Sequence, residues 1–395
     1  MLSDQWLRRH PDAARAAIGR RVNPKALHSL EAWLALDGER RAAAAWHDSL
    51  RSSGAAAGDI RAATEALDTL TARQRELALT LPNAPDARVP DVNRIVRVWG
   101  EPQLAEFPPA PHDVLGARLH ILDLPRATRL SGPRFPLLLG EGARLARALA
   151  NWLLDTHVAN GYLEVAPPDL LRAETLQGTG QLPAHKDELF TIPSDHLYLS
   201  PTAEAQLVAL YANETFEAAR LPIKLTAYTQ AFRREAGSAG AKTRGLLRQR
   251  QFGKVELVQL VAPELADAAL DEMVSAAEAS LRALGLPYRL VELSADELPF
   301  SARRSFDLEV WLPSLKRYLE IASMSDCGAF QARRLGLRYR VRLGAPGRSL
   351  TTLNGSALPI GRTIAALIEN GQRADGSVAL PETLVAYGAP AELRP

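Results

Sequence analysis

The sequence has a single cysteine, Cys327, among 395 residues. A disulfide framework within the chain is therefore excluded, and so is a metal site built from several thiolates. No stretch approaches the roughly 18 uninterrupted apolar residues that a membrane-spanning helix needs. The N-terminal segment MLSDQWLRRHPDAARAAIGRR lacks the apolar core and the small-residue cleavage site of a signal peptide. We expect a cytosolic protein without zinc and without a membrane segment.

An excess of charge of one sign is also lacking. The 47 Lys and Arg residues nearly balance the 45 Asp and Glu residues, which leaves a net charge of +2. This balance excludes a general nucleic-acid binder, so any RNA contact requires local basic patches. Neither GxGxxG nor GxxxxGK[ST] occurs, which excludes the common dinucleotide and P-loop phosphate cradles. The length suggests two or three domains.

The first eighty residues are predicted to form helices. Residues 59–81 show a heptad pattern, with Asp59 at the position of an N-cap, and residues 27–50 show a less regular apolar stripe that includes Ala45 and Trp46. The Gly- and Ser-rich residues 51–59 predict a turn between them. Helices of roughly 23 residues would make an antiparallel hairpin about 35 Å long. The predicted seam of the second helix is Ile60, Ala63, Leu67, Leu70, Gln74, Leu77 and Leu81.

Two interpretations of this hairpin stay open. It is either packed on a globular body or a protruding arm whose outer face, with Arg61, Arg73 and Arg75, is solvated. The proline-rich residues 81–93 follow as a linker, and we place the domain boundary near residues 93–99.

The rest of the chain alternates helices with strand-like segments. Residues 141–158 and 263–284 are predicted to be amphipathic helices, the second with a proline in its first turn. The segments YLEVAPP, LPIKLTAYTQAFRRE, QFGKVELVQLVAP, LPYRLVEL and FDLEVWLP are predicted to be strands. Strands joined by hairpin-like loops indicate an α+β fold with a mostly antiparallel sheet flanked by helices.

Two neighbouring strands combine groups suited to a nucleotide and an amino acid. Because side chains alternate along a strand, Arg233 and Glu235 are predicted to share one face of YTQAFRRE. Phe252, Lys254 and Glu256 share one face of QFGKVEL. An arginine clamps phosphate, a ring stacks on a base, and a carboxylate holds an ammonium group. The basic loop between the strands is predicted to cover a phosphate chain. A solvated face of surface ion pairs is the alternative.

Two further segments suit phosphate and magnesium. Gly361 and Arg362 open a predicted helix, whose positive N-terminus favours a phosphate group. Glu320 and Ser323 lie at the end of a predicted strand and supply the oxygen ligands that Mg²⁺ takes when it bridges phosphates. Each pair alone is weak evidence, since such pairs are common.

A third segment, SPTAEAQL, places Thr202 and Glu204 after a predicted strand. A hydroxyl and a carboxylate at this spacing can recognise a small zwitterion. The same residues can equally cap a helix that begins near Ala205.

Together these segments resemble the seryl-tRNA synthetases, which are class II aminoacyl-tRNA synthetases. FRREAGSAGAKTRGLLRQRQFGKVEL is similar to the family's motif 2, and TLNGSALPIGRTIAALIENGQ is similar to its motif 3. The helix before GYLEVAPP is similar to motif 1, which forms the dimer interface. The resemblance is dense over residues 95–390. It implies a class II catalytic domain over residues 96–395, preceded by a helical-hairpin arm over residues 1–95.

The resemblance implies an activity and its residues. The family activates L-serine with ATP and transfers it to tRNA(Ser), as a cytoplasmic homodimer whose arm grips the long variable arm of the tRNA. The implied catalytic residues are Arg233, Glu256 and Arg362. The implied serine-binding residues are Thr202, Ala203, Glu204, Arg233, Glu256 and Ser356. The implied ATP-binding residues are Arg233, Arg234, Glu235, Gln249, Phe252, Glu320, Ile321, Ala322, Ser323 and Arg362, with Glu320 and Ser323 also holding Mg²⁺.

Several features depart from the family pattern. The arm is shorter than usual. Arg234 and Lys242 stand where the family usually has serine and an acid, so both add positive charge near the motif 2 loop. The remaining departures are Ala322 and Met324 beside the magnesium ligands, and Ala357 and Pro359 in motif 3.

Two other functions remain open on the sequence. A paralogue could make seryl-adenylate for an acceptor other than tRNA, which the short arm and altered loop charges suggest. A catalytically dead homologue could act as a regulatory subunit, although the charged residues of both motifs are present.

Overall fold

The computed structural model describes residues 1–102, 106–236 and 244–395. The glycine-rich centre of the motif 2 loop, with Lys242, lies outside the described residues. Within them, the α-helices are α1 (Asp4–Arg9), α2 (Pro11–Gly19), α3 (Pro24–Ser53), α4 (Ala57–Thr80), α5 (His112–Arg118), α6 (Leu124–Ser131), α7 (Gly140–Ala159), α8 (Ala173–Thr179), α9 (Ala203–Ala209), α10 (Ala266–Ala283), α11 (Phe330–Leu335), α12 (Ile360–Asn370) and α13 (Glu382–Val385). The β-strands are β1 (Arg94–Trp99), β2 (Leu163–Glu164), β3 (Leu170–Arg172), β4 (Thr191–Ile192), β5 (Leu197–Leu199), β6 (Thr215–Glu217), β7 (Ile223–Phe232), β8 (Gln251–Val261), β9 (Tyr288–Glu292), β10 (Arg304–Leu312), β11 (Arg317–Asp326), β12 (Arg338–Arg340), β13 (Arg348–Ser349), β14 (Thr351–Pro359), β15 (Val378–Ala379) and β16 (Glu392–Leu393).

The predicted hairpin is formed by α3 and α4, and its connection is shorter than predicted. Asn23 caps α3 by accepting hydrogen bonds from the amides of Lys25 and Ala26, and Gly54 ends the helix with a φ of 68°. Helix α4 starts at Ala57, so Ala56 is its N-cap and the prediction of Asp59 as the cap was wrong. Asp59 lies in the first turn, where a carboxylate favours the helix dipole. With 30 and 24 residues, the two helices are longer than predicted.

The heptad seam of α4 is confirmed, because each of its predicted residues is buried or half-buried. At its centre Gln74 donates a hydrogen bond to Asp37 of α3 (2.7 Å), and Arg8 of α1 pairs with the same carboxylate. The stripe predicted for α3 was wrong at its far end, since Ala45 and Trp46 are exposed. The helix rotates these two residues away from α4.

The large sheet has eight strands in the order β1-β9-β10-β11-β14-β8-β7-β2. All neighbouring pairs are antiparallel except β2 with β7, which confirms the predicted mostly antiparallel sheet. Apolar residues of β8, β10, β11 and β14 form one core with α7, α10 and α12 on a single face of this sheet. The side chains that alternate with these on β8 belong partly to a second core with α9 and α11 and partly to the candidate site.

Several element boundaries differ from the prediction. Strand β7 ends at Phe232, and strands β2 and β9 are shorter than the predicted segments. A 3-10 turn at Pro263–Leu265 precedes α10. Strand β1 begins at Arg94 and pairs with β9, so the predicted boundary between residues 95 and 96 falls within this edge strand. Among the described residues, no helix has both the length and the apolar character needed to cross a membrane.

Candidate active site

A cavity of about 400 Å³ lies over the central strands of the large sheet. It is bounded by β8, β10, β11 and β14 and by the first residues of α9 and α12. Most of the predicted site residues meet there. The predicted residues that line it are Thr202, Glu204, Arg233, Glu235, Gln249, Phe252, Glu256, Glu320, Ile321, Ser323, Ser356 and Arg362.

Arg233 and Phe252 lie together where β7 and β8 meet the motif 2 loop. Phe252 pairs with Ala231 in the ladder, and the amide of Arg233 donates a hydrogen bond to Arg250 O (2.8 Å). The Arg233 Cζ lies 5.3 Å from the centroid of the Phe252 ring. This distance fits a cation–π contact, which holds a positive charge and an aromatic plate side by side.

One end of the cavity carries a buried polar network. Lys254 Nζ forms an ion pair with Glu256 and donates a hydrogen bond to Thr202 Oγ1 (2.9 Å). Thr202 Oγ1 donates to Glu256 Oε2 (3.2 Å) and accepts from the Glu204 amide (3.3 Å), so Thr202 both caps α9 and borders the cavity. Ser356 lies opposite Glu256 on β14. The network offers two carboxylates and two hydroxyls to a small polar ligand.

Glu204 in this network is fully enclosed. Its carboxylate accepts a hydrogen bond from Gln331 Nε2 (2.7 Å). Burial, followed by the nearby charge of Glu256, raises the pKa of Glu204 to about 7. An ammonium group placed between the two carboxylates would favour the charged form of both.

The loop segment that returns to β8 is held against α12. Gln249 donates from Nε2 to Leu246 O (2.7 Å), and a Cβ atom at Gly361 would lie 2.1 Å from that nitrogen. A side chain at residue 361 would therefore displace the Gln249 amide from this position. Glu235, with a φ of 53°, forms an ion pair with Arg248.

Arg362 lies in the first turn of α12 and lines the cavity. It donates from Nε to Leu247 O (3.1 Å) and from Nη1 to Glu320 O (2.5 Å). These carbonyl bonds hold the guanidinium at a helix N-terminus, where a phosphate group is favoured.

The residues predicted to hold magnesium lie beside Arg362. Ser323 pairs in the ladder with Asp307 of β10, and both residues line the cavity together with Glu320. The Ser323 hydroxyl and the Asp307 Oδ1 are buried and have no hydrogen-bond partner within the described residues. Burial and the charge of Glu320 raise the pKa of Asp307 to about 8. Unsatisfied oxygen atoms of this kind fit a divalent cation.

Comparisons with known proteins agree with this geometry. The family model for the tRNA synthetase class II core domain (G, H, P, S and T) matches residues 189–371. A serine–tRNA ligase of Synechococcus elongatus is 49% identical over 78% of this chain and 73% of its own length. A serine–tRNA ligase of Heliobacterium modesticaldum is 41% identical over 98% of both chains.

The chain belongs to the serine–tRNA ligase family of class II aminoacyl-tRNA synthetases. A crystal structure of the seryl-tRNA synthetase from Pyrococcus horikoshii complexed with ATP superimposes with a TM-score of 0.92 over all of both chains, at 28% identity. The predicted family and fold are therefore confirmed.

Three residues that family resemblance assigned to the site lie outside the cavity. Ala203 and Ala322 are buried in the two cores on either side of it. The side chain of Arg234 is exposed, because the chain has left β7 at Phe232. Strand β7 is thus shorter than predicted, but Arg233 and Glu235 both line the cavity, as their predicted place on one face implied.

Other cavity residues had no predicted role in this member of the family. Lys254 was predicted on the correct face of its strand but was given no role. Its alternation with the buried Val255 indicated that its side chain faces the cavity. Asp307 shows the same alternation between Phe306 and Leu308. Further lining residues that the sequence did not indicate are His185, Phe300 and Asn354. Gln331, which the sequence also did not indicate, contacts the site through its hydrogen bond to Glu204.

Proposed function

We propose that this chain activates L-serine with ATP to form seryl-adenylate and then transfers serine to tRNA(Ser), releasing AMP and pyrophosphate. The observation that carries the proposal is a single cavity lined by two kinds of group. The Thr202–Glu204–Glu256 network lines it together with Arg362 and with the contacting pair Arg233 and Phe252. This combination matches an amino acid joined to a nucleotide.

The polar end of the cavity suits serine. We assign the ammonium group to Glu204 and Thr202, and the hydroxyl to Glu256 and Ser356. Alanine would leave these buried groups without partners, and such loss is costly in a site from which water is excluded. Ion pairing to Lys254 keeps the Glu256 carboxylate in a fixed position.

The remaining residues suit ATP. Arg233 would bind the α-phosphate and the serine carboxylate, and Arg362 the γ-phosphate. Phe252 and Glu235 would hold adenine, with Gln249 against the nucleotide. The arginines match the phosphate oxygens in charge and in planar geometry.

Glu320 and Ser323 would hold Mg²⁺ with the nucleotide, and Asp307 lies beside them with an Oδ1 that has no hydrogen-bond partner in the part of the chain that the structure describes. When bound, the cation supplies positive charge to the phosphate oxygens.

The reaction itself requires no protein nucleophile. The serine carboxylate attacks the α-phosphorus in line, and pyrophosphate leaves. The side chains contribute by holding the two substrates in the reactive orientation and by stabilising the charge that spreads over the phosphoryl oxygens. Arg233 is central, because it contacts Phe252 within the cavity that the polar network also lines.

We further propose that the α3–α4 hairpin binds the variable arm of tRNA(Ser) and that the chain works as a cytoplasmic homodimer. Arg61, Arg73 and Arg75 are exposed on α4 and available to phosphates. Strand β1 lies at the edge of the large sheet with Ile95 and Val98 more than half exposed, 52% and 57%. An apolar sheet edge of this kind is typically covered by another chain.

Two assays on the purified chain test the proposal. Serine-dependent exchange of pyrophosphate with ATP tests activation, and charging of tRNA(Ser) with and without its variable arm tests transfer. We expect exchange with serine, and charging that falls when the variable arm is removed. A folded chain without exchange would contradict activation. Brisk exchange without any charging would indicate a paralogue that serves another acceptor.

A further inference from the structure

The 298–303 loop, between β9 and β10, borders the cavity but forms no strand or helix of its own. Pro299, Phe300 and Ser301 line the cavity. A loop of this kind must find hydrogen-bond partners for its carbonyl groups elsewhere. The partners come from the N-terminal region, at the base of the hairpin.

Arg21 supplies the partners of three of the six carbonyls, those of residues 298, 299 and 302. It donates from Nη1 to the carbonyls of Leu298 (2.7 Å) and Pro299 (3.0 Å). Its Nη2 donates to Ala302 O (2.5 Å). The same guanidinium also donates from Nε to Asn83 O (3.0 Å), which joins the two ends of the hairpin base.

Asn83 and Asp86 supply the rest. The Asn83 amide donates to Phe300 O (2.9 Å), and its side-chain Nδ2 donates to Ser301 O (2.9 Å). The Asp86 amide donates to Arg303 O (2.9 Å). Every carbonyl from residue 298 to residue 303 thus accepts a hydrogen bond from the N-terminal region.

Burying the charged Arg21 side chain costs free energy, so stability alone does not account for its position. Its side chain is buried, and each hydrogen bond that its guanidinium makes within the described residues goes to a main-chain carbonyl. Burial lowers the pKa of Arg21 to about 10, so the group stays charged near neutral pH. A planar fork with five donors can reach several carbonyls at once, whereas a lysine ammonium has three.

The 298–303 loop packs against the amino-acid end of the cavity. A Cβ atom at Gly180 would lie 3.3 Å from the Phe300 ring, so the two segments are in close contact. The neighbouring Thr179 O accepts a hydrogen bond from Gln331 Nε2 (3.1 Å), and the same nitrogen donates to Glu204. A shift of the loop is therefore passed to Glu204 through Gly180 and through the hydrogen bonds of Gln331.

We propose that Arg21 is a positioning residue for amino-acid activation, which holds the 298–303 loop against the amino-acid end of the cavity. The inference rests on the proposed function. It makes the base of the hairpin part of the active site, while the far end of the hairpin remains free for RNA. Arg21 lies two residues before the N-cap of α3, and Asn83 follows α4 closely, so both ends of the hairpin hold the loop.

The test compares Arg21→Met with Arg8→Met in the full chain. Arg8 pairs with Asp37 inside the hairpin and makes no contact with the loop, so Arg8→Met controls for a less stable hairpin. In pyrophosphate exchange we expect Arg21→Met to raise the serine KM about ten-fold while the ATP KM changes by less than about two-fold. Arg8→Met should leave both KM values within that limit. A variant that is merely less well folded has a lower fraction of active enzyme, which would reduce the apparent kcat and leave both KM values unchanged.

A folded Arg21→Met variant with an unchanged serine KM would overturn the inference. If that variant does not fold, Asn83→Ala takes its place, because it removes only the side-chain donor to Ser301 and keeps the amide bond to Phe300. Its serine KM should rise as well, and an unchanged value would be equally decisive.

Hydrogen exchange separates failure of the inference from failure of the proposed function. If the wild-type chain shows no serine-dependent exchange of pyrophosphate, the proposed function fails. The amides of Asn83, Asp86 and Ala302 should still lose protection in Arg21→Met, because their bonds belong to the same assembly. Unchanged protection of these amides would overturn the role of Arg21 in holding the loop.

Discussion

The Arg233 guanidinium lies over the Phe252 ring, 5.3 Å from its centroid, at the centre of the candidate site. The contact joins the residue after β7 to the second residue of β8, across the base of the motif 2 loop. It holds the group that we assign to the α-phosphate next to the plate that we assign to adenine.

Arg233→Ala should reduce serine-dependent pyrophosphate exchange by about 10²–10³-fold, because the transition state loses its main positive charge. The unfolding temperature should change little. Arg234→Ala is the matched control, since that neighbouring side chain is exposed outside the cavity. Equal losses in both variants, or normal exchange in Arg233→Ala, would contradict the role given to Arg233.

The pKa of Glu204 predicts a pH dependence of serine binding. With a pKa of about 7, Glu204 is mostly neutral below that pH and charged above it. The serine KM should therefore fall by up to about ten-fold between about pH 6 and pH 8, since the ammonium group prefers a carboxylate. Lys254, Glu256 and Arg233 also act on this carboxyl group. In Glu204→Gln this pH dependence of the serine KM should disappear. If it persists, a group other than Glu204 causes it.

The Glu204 carboxyl group also affects the stability of the fold, which it lowers as the pH rises, whereas serine binding improves over the same range. The pKa of Glu204 in the folded chain lies above the ordinary value of 4.5, so the folded state binds this proton more tightly than the unfolded state. Its contribution to stability is present below about pH 4.5 and is lost as the pH rises through about 7. Chemical unfolding of the wild type and of Glu204→Gln over this range would measure the difference. Parallel stability curves would contradict the raised pKa.

Breaking the Lys254–Glu256 ion pair should be costly because both side chains are buried. Lys254→Met should lower the free energy of unfolding by about 3 kcal/mol, since it leaves a carboxylate in the interior without its partner. Lys224→Met, on β7, is the control. Its ion pair with Glu272 is partly exposed, and its loss should cost less than about 1 kcal/mol. Urea unfolding of both variants gives the comparison, and equal losses would refute the buried-pair account.

Asp307→Asn should weaken the use of magnesium. Asp307 lines the cavity and pairs with Ser323 in the ladder, so a neutral amide would remove the negative charge that its carboxyl group would carry beside a bound cation. The Mg²⁺ concentration for half-maximal exchange should rise about ten-fold. Glu309→Gln, on the same strand but paired with Arg289, should not change it. A shift of equal size in both variants would argue against a metal site at Asp307.

Much of this architecture follows from local periodicity. The seam of α4 and the alternation of Phe252, Lys254 and Glu256 on β8 depend only on the repeat of a helix or a strand, so they could be predicted. Arg233 and Glu235 line the same cavity, as the alternation predicted. The end of β7 at Phe232 and the left-handed backbone of Glu235, with a φ of 53°, could not be predicted from that alternation.

Contacts between distant segments were beyond prediction. Asp307 meets Ser323 only through the register of β10 with β11. Gln331 reaches Glu204 across 127 positions of the chain, and Arg21 reaches Leu298 across 277. No periodic signal links such residues, since their meeting depends on how whole layers pack. Family resemblance supplied the rest of the site, but it placed Ala203, Ala322 and Arg234 there as well.

The exposed arginines of α4 should affect charging and leave activation unchanged. Replacing Arg61, Arg73 and Arg75 with glutamine removes exposed positive charge from α4. We expect kcat/KM for tRNA charging to fall about ten-fold and its salt dependence to weaken, because fewer counterions are released on binding. Pyrophosphate exchange should be unchanged. Charging equal to that of the wild type would place the RNA contacts elsewhere.

A crystal structure with a non-hydrolysable seryl-adenylate analogue tests the central claim most directly. The claim is that one cavity holds both halves of this intermediate. We predict the adenine against Phe252, the phosphate mimic within hydrogen-bond distance of Arg233, the ammonium group at Glu204 and Thr202, and the serine hydroxyl at Glu256 and Ser356. Binding in another cavity, or binding with the serine moiety away from both carboxylates, would contradict the account.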